Sequence, residues 1–136
     1  MEPRISVITL GVRDLGRSIL FYEEGLHLPK RRSKGGIGVA FFELAGTWLA
    51  LYPRDGLAAE AGVSPVGGGF PGFSLAHNVR TRGEVLSVME EVVAAGGSVV
   101  KQPHEASWGG FCGYFGDPDG YLWEIVWNPG FWPGPE

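Results

Sequence analysis

The sequence predicts an α+β fold of two βαβββ modules that form a curved, mixed sheet around a cleft. Two observations predict it: short apolar strands alternate with only two amphipathic helices, and the same order of elements occurs twice in 136 residues. Hydrophobic residues make up 44% and charged residues 19% of the chain, as is typical of one globular domain. Four strands and one helix are too few to bury a core alone, so the modules are expected to pair.

Residues 5–53 are predicted to form the first module. A run rich in β-branched side chains at residues 5–12 is expected to be a strand. Asp14 is a suitable N-cap for a helix over residues 14–24, and Gly25 is the left-handed residue expected after it. Three further strands are predicted at residues 28–33, 38–44 and 47–52.

The second module is predicted over residues 72–128, after a linker at residues 54–71 that begins as a short helical turn and becomes glycine-rich. Thr81 and Glu84 have the spacing of a capping box, and apolar residues recur behind them at helical spacing. An extended tail follows at 129–136. Strands are predicted at residues 73–79, 98–102, 109–116 and 121–127.

Composition and charge exclude several classes of protein. The net charge of −4 argues against the basic surface of a nucleic-acid-binding protein. No apolar run approaches the roughly 18 residues of a transmembrane helix, and the N-terminus has no signal-peptide pattern. Cys112 is the only cysteine, which excludes disulfide frameworks and cysteine-based zinc sites. We therefore expect a cytoplasmic protein without nucleic-acid or membrane partners.

Two stretches of the sequence resemble a known family. The runs ISVITLGVRDLGRSILFYEEGLHL and GYFGDPDGYLWEIVWNP resemble the opening and closing segments of the vicinal oxygen chelate superfamily. That superfamily contains glyoxalase I, extradiol dioxygenases, fosfomycin-resistance enzymes and bleomycin-resistance proteins. The resemblance extends over nearly the whole chain, and implies one domain over residues 1–136 and a homodimer. It does not fix an activity, because this fold hosts unrelated functions.

The resemblance also implies four positions for the ligands of a divalent metal ion. In this chain they are Val7, Ala50, Ser74 and Glu124. Valine and alanine have no lone pair, and serine is a weak ligand unless it is deprotonated. Because an Fe, Mn, Zn or Ni site requires at least three imidazole or carboxylate ligands, we expect no metal cofactor.

Glu124 is nevertheless the first candidate for a functional residue. It is predicted in the middle of a strand, where a buried carboxylate requires a partner. It is expected either to be catalytic or ligand-binding on the cleft face, or to be a structural residue satisfied by a neighbour. Asn78 and Tyr114 are expected to offer hydrogen bonds to the same ligand, and Trp108 an aromatic surface.

Three other residues are weighed as candidates. His77 is expected on the helix side of its strand, although a shift of one residue in register would reverse this. His104 is placed in a loop before the seventh strand, where residues often determine specificity. Cys112 has no sequence neighbour that would lower its pKa, so we expect a small buried hydrophobe.

Three functions remain open at this point. The first is a metal-independent protein that binds a small, apolar or aromatic molecule, like the bleomycin-resistance branch. The second is a lyase, isomerase or dioxygenase in which Glu124 acts with non-standard metal ligands such as His77 or His104, or with Tyr114 in metal-free acid–base catalysis. The third is a subunit without a small ligand. The apolar family positions favour the first.

Overall fold

The chain divides into two compact units, Met1–Gly69 and Phe70–Glu136. Their boundary lies within the predicted linker. The computed structural model describes residues 1–32 and 38–135, and each unit contains one mixed β-sheet with at least one helix packed against it. The predicted α+β fold is confirmed, although the strands form two separate sheets. None of the helices in the described ranges has the length and apolar character to cross a bilayer.

The first unit has a three-stranded sheet among its described residues, in the order β1-β3-β2. Its elements are β1 (Val7–Val12), α1 (Leu15–Ile19), a π-helical turn (Leu20–Gly25), β2 (Ala40–Phe42), β3 (Trp48–Pro53) and α2 (Arg54–Ala61). Strand β1 is parallel and β2 antiparallel to β3. The strand predicted at 28–33 is reduced to a bridge between Lys30 and Phe42, because Pro29 has no N–H to extend the ladder. Its last residue, Ser33, lies outside the described residues.

The large buried side chains of β1 and β3 share one face of this sheet. Leu10 and Leu51 are register partners, and both are almost completely buried. The aromatic ring of Tyr22 lies 6.0 Å from that of Phe42 and is also fully buried. Because side chains alternate along a strand, the opposite face carries the intervening residues, Val7 and Ala50 among them.

The first helix begins as predicted but ends later than predicted. Asp14 is the N-cap, and its carboxylate accepts a backbone hydrogen bond three residues on. A π-helical turn then follows α1, in which the N–H of Leu26 donates to the carbonyl of Phe21. The wider turn delays the end of the helix, so the left-handed residue is His27, with φ of 59°, and the prediction of Gly25 in this role was wrong.

His27→Val is expected to lower the free energy of unfolding by about 1–2 kcal/mol, because a β-branched residue is costly in the left-handed region. His27→Gly is the matched control, since glycine adopts this conformation freely. Urea denaturation of both variants measures the difference. An equal loss in the two variants would mean that imidazole contacts, and not the backbone conformation, determine the effect.

The second unit has a four-stranded sheet in the order β4-β7-β6-β5, counted over residues 70–135. Its elements are β4 (Leu75–Val79), α3 (Arg82–Ala94), β5 (Ser98–Glu105), β6 (Phe111–Gly116) and β7 (Leu122–Trp127). Strands β4 and β7 are parallel, and the other pairs are antiparallel. This is the predicted βαβββ order, and the predicted capping box of Thr81 and Glu84 is present. The predicted tail has no regular secondary structure up to Pro135, and Glu136 lies outside the described residues.

Strand β5 extends three residues beyond its predicted end. The pairing with β6 shifts in register on both sides of Lys101, and the strand continues through Pro103 to Glu105. Gly113 of β6 permits this close passage, because a Cβ atom there would lie 3.1 Å from the Pro103 nitrogen. His104 therefore lies in a strand, and its predicted placement in a loop was wrong.

The largest buried side chains of the second unit lie on one face of its sheet. Phe115 and Ile125 on this face are almost completely buried, as are Val85 and Val92 of α3. His77 is the register partner of Ile125, so it lies on the helix side of β4 as predicted, with its side chain exposed. The opposite face of the sheet carries the residues described next.

Candidate functional site

Three polar side chains form one row across the second sheet, on the face opposite to Phe115. Tyr114 of β6 is the direct register partner of both Lys101 of β5 and Glu124 of β7. Neighbouring strands are about 4.8 Å apart, so the row places an ammonium and a carboxylate on either side of a phenol. We call Lys101, Tyr114 and Glu124 the charged row.

A second row lies beside the charged row on the same face. His104 pairs with Cys112, Cys112 with Val126, and Val126 with Asn78. Cys112 and Val126 are buried, whereas His104 and Asn78 at the two ends are partly exposed. This row is therefore apolar in the middle and polar at its ends.

Glu124 lies beside Tyr114 on the neighbouring strand, and this proximity changes the acidity of the phenol. Burial is the largest cause, followed by the hydrogen bond to Glu124 and its negative charge, and together they raise the pKa of Tyr114 to about 12. The phenol is thus protonated at neutral pH and can donate a hydrogen bond to the carboxylate.

We expect the pKa of Tyr114 to fall in Glu124→Gln toward the ordinary value of 10.0, with burial retaining part of the shift. Tyr114 ionises at a lower pH in the unfolded chain than in the folded protein. Its contribution to stability is therefore complete below pH about 10 and is lost as the pH rises toward about 12. NMR of ring-labelled tyrosine, assigned with Tyr114→Phe, measures both titrations. The same pKa in the two proteins would contradict the contact.

Cys112 has the buried, protonated character predicted for it. Burial is the main cause that raises the pKa of its thiol, and the charge and hydrogen bond of Glu124 act in the same direction, opposed by Lys101. Its Sγ lies 3.9 Å from Nε2 of His104, and Nδ1 of that ring lies 3.0 Å from the Gln102 carbonyl. Since nucleophilic cysteines have a lowered pKa, Cys112 does not have the character of one.

The residues at the implied metal positions do not fit a metal ion. Val7 and Ala50 have no donor atom, and Ser74 is an exposed residue just before β4. Among residues 1–32 and 38–135, no group of three His, Cys, Asp or Glu side chains could hold a metal. The non-standard ligands considered from the sequence cannot complete a metal site with Glu124. His77 lies on the other face of the sheet, and His104 lies two strands away.

The four predicted ligand-binding residues have different places in the structure. Glu124, Tyr114 and Asn78 share one face of the sheet, as the period of two in each strand indicated. Trp108 lies in the loop between β5 and β6, where it is 53% exposed and its ring lies against Gly110. Lys101 was not identified from the sequence, because the register shifts in β5 prevent the alternation of side chains from predicting which face it lies on.

A concave surface of the first unit offers less chemistry than the charged row. It is an open depression at the start of β1, with Ile5, Val7 and Trp48 among its lining residues. Arg4 is its one titratable side chain among the described residues. The second sheet is therefore the better candidate site.

Solved structures resemble the chain over nearly its whole length. A glyoxalase-related enzyme from Fulvimarina pelagi is 37% identical, with a TM-score of 0.87 over 97% of this chain and 93% of that chain. A glyoxalase/bleomycin resistance protein/dioxygenase from Nocardioides is 27% identical, with a TM-score of 0.77 over 100% and 91% of the two chains. Lactoylglutathione lyase from Agrobacterium tumefaciens, at 21% identity and a TM-score of 0.72 over 97% and 100%, shares the fold.

The family is shown by a match to a model of the whole domain. A comparison with curated protein sequences finds no match. The model of the Glyoxalase/Bleomycin resistance protein/Dioxygenase superfamily matches residues 4–125. With the 37% identity to the Fulvimarina pelagi enzyme over 97% of the chain, this match means that the chain belongs to the Glyoxalase/Bleomycin resistance protein/Dioxygenase superfamily.

Proposed function

We propose that the protein binds a small molecule through Glu124 and Tyr114, without a metal ion. The observation that carries this proposal is the register pairing that places Glu124 and Tyr114 side by side on the face opposite to Phe115. Glu124 stands at a position where the family resemblance implies a metal ligand, and the apolar Val7 and Ala50 supply no donors to complete such a site. The carboxylate is thus available to an organic ligand.

The hydrogen-bonding capacity of Glu124 supports this proposal. An ionised carboxylate has about four acceptor positions. Among the described side chains, Tyr114 and Cys112 are close enough for Glu124 to change their pKa values, and each has one hydrogen to offer it. The other positions require a donor when solvent is displaced, because a desolvated carboxylate oxygen without a partner is costly. A ligand with an N–H or O–H group meets this requirement.

Metal-free acid–base catalysis is the second candidate, and the same contact favours it less. Glu124 would accept a proton and Tyr114 would donate one to a substrate. A general acid works best when its pKa lies near the working pH, and the pKa of Tyr114 is raised to about 12. The phenol is therefore better suited to orient a ligand than to supply protons. Because the chain is 37% identical to a glyoxalase-related enzyme from Fulvimarina pelagi, any compound that binds should also be assayed for turnover.

A homodimer of one-domain protomers and a cytoplasmic location, both expected from the sequence, are also part of the proposal. The apolar or aromatic body expected for the ligand fits the ring of Tyr114, which is partly exposed on this face. Light scattering of the purified protein measures the oligomeric state directly.

The test compares native protein with Glu124→Ala. Metal content is measured after incubation with Zn, Ni, Mn, Co and Fe(II), and aromatic and drug-like compounds are screened by thermal shift and calorimetry. We expect no stoichiometric metal, and at least about tenfold weaker ligand binding in Glu124→Ala, equivalent to about 1.4 kcal/mol. The unliganded variant is expected to keep the native fold.

Glu90→Ala is the matched control, because Glu90 is an exposed carboxylate on α3, outside the charged row. It should bind every compound as the native protein does. Stoichiometric metal that is lost in Glu124→Ala would overturn the metal-free proposal. If Glu124→Ala unfolds, ligand binding is measured with the milder variant Glu124→Gln. Unchanged binding in Glu124→Gln would then assign the carboxylate a structural role.

A further inference from the structure

The charged row has opposite charges at its two ends. Glu124 is at the β7 end and Lys101 is at the β5 end, with the phenol of Tyr114 between them. Two strand spacings separate the ends, so their backbones lie about 10 Å apart. A ligand lying along this row meets a carboxylate at one end and an ammonium at the other.

The Lys101 ammonium is available for such a ligand. Lys101 lies on the same face of the sheet as Tyr114, since the two are direct register partners. Within residues 1–32 and 38–135, no carboxylate forms an ion pair with it. Strand β5 is an edge strand, so the side chain is exposed to solvent and to incoming molecules.

His104 adds a second polar group near the β5 end. Its Nδ1 faces the carbonyl of Gln102 at 3.0 Å, and since a carbonyl only accepts, Nδ1 must carry the proton. In the neutral ring Nε2 is then an acceptor, and it lies 3.9 Å from Sγ of Cys112. The β5 end thus combines one cation with an imidazole of fixed orientation.

We infer that the ligand is a zwitterion with an apolar body, of the class of the hydrophobic amino acids. Its ammonium group would bind Glu124, its carboxylate would bind Lys101, and its apolar part would lie against the partly exposed ring of Tyr114 between them. The inference rests on the proposed function, because it names the ligand class of the same site. This ligand class requires charge complementarity at both ends of the charged row, and not only affinity for Glu124.

Three probes with one aromatic body separate the two ends. L-phenylalanine carries both charges, phenethylamine lacks the carboxylate, and hydrocinnamate lacks the ammonium. Calorimetry is performed with native protein, Lys101→Met and Glu124→Gln. We expect L-phenylalanine to bind native protein best. Lys101→Met should weaken it about tenfold and leave phenethylamine unchanged, while Glu124→Gln should weaken both amines and leave hydrocinnamate unchanged.

Each other result has a defined meaning. Equal binding of L-phenylalanine and phenethylamine by native protein, with no effect of Lys101→Met, overturns the zwitterion, and the proposed function survives if Glu124→Gln still weakens both. Amine binding that is insensitive to Glu124→Gln overturns the inference and counts against the proposed function. Failure of all three probes to bind at millimolar concentration overturns the inference alone, since the ligand screen tests the proposed function separately.

Discussion

Replacement of Phe115 with alanine is expected to lower the free energy of unfolding by about 3–5 kcal/mol. Phe115 is 1% exposed, and its ring stacks on Trp123 with centroids 5.9 Å apart and planes 6° apart. Strand β6 is hydrogen-bonded on both sides, to β5 and β7, so the backbone cannot move inward to fill the cavity. The loss combines removal of the ring from the core with the cavity left behind.

Phe131→Ala is the matched control for this substitution. Phe131 is the same residue type in the same unit, but it is 66% exposed, so the expected loss is within about 0.5 kcal/mol. Urea denaturation of both variants measures the two free energies. A loss in Phe115→Ala that is no larger than the loss in Phe131→Ala would show that β6 adapts to the cavity.

Asp117→Ala is expected to lower the free energy of unfolding by about 1–3 kcal/mol. The carboxylate is 4% exposed and lies in the turn between β6 and β7. Its Oδ1 accepts the backbone N–H groups of Asp119 at 2.9 Å and Tyr121 at 2.8 Å. Both donors lose this acceptor in the alanine variant, and the turn that aligns β6 with β7 is weakened.

Asp117→Asn tests whether the hydrogen bonds cause this effect. The asparagine carbonyl oxygen can accept the same two N–H groups without a charge, so the expected loss is smaller than in Asp117→Ala. Thermal unfolding of the two variants is the measurement. Equal losses would contradict the role assigned to the acceptor oxygen.

Features that depend on a few neighbouring residues were predictable from the sequence. The caps at Asp14 and Thr81 follow from one side chain and the backbone three residues on. The shared face of Tyr114 and Glu124 follows from the period of two within each strand, once β6 and β7 are joined by a short turn. Local geometry is sufficient in each of these cases.

Features that depend on backbone irregularity were not predictable. The π-helical turn moves the left-handed position from Gly25 to His27, although glycine is the residue that favours it. The register shifts of β5 bring Lys101 and His104 onto the face of Glu124. Neither irregularity has a residue pattern of its own, so the positions of Lys101 and His104 on this face became visible only in the structure.

The place of β7 in its sheet determines when the second unit can fold during synthesis. Among the strands of residues 1–32 and 38–135, Leu122–Trp127 are made last, yet they lie between β4 and β6. During synthesis β5 and β6 can pair early, whereas β4 cannot pair until its neighbour β7 has been made. The nascent unit therefore lacks its central pairing until this segment emerges, and during that interval its unpaired strand edges make it prone to aggregation.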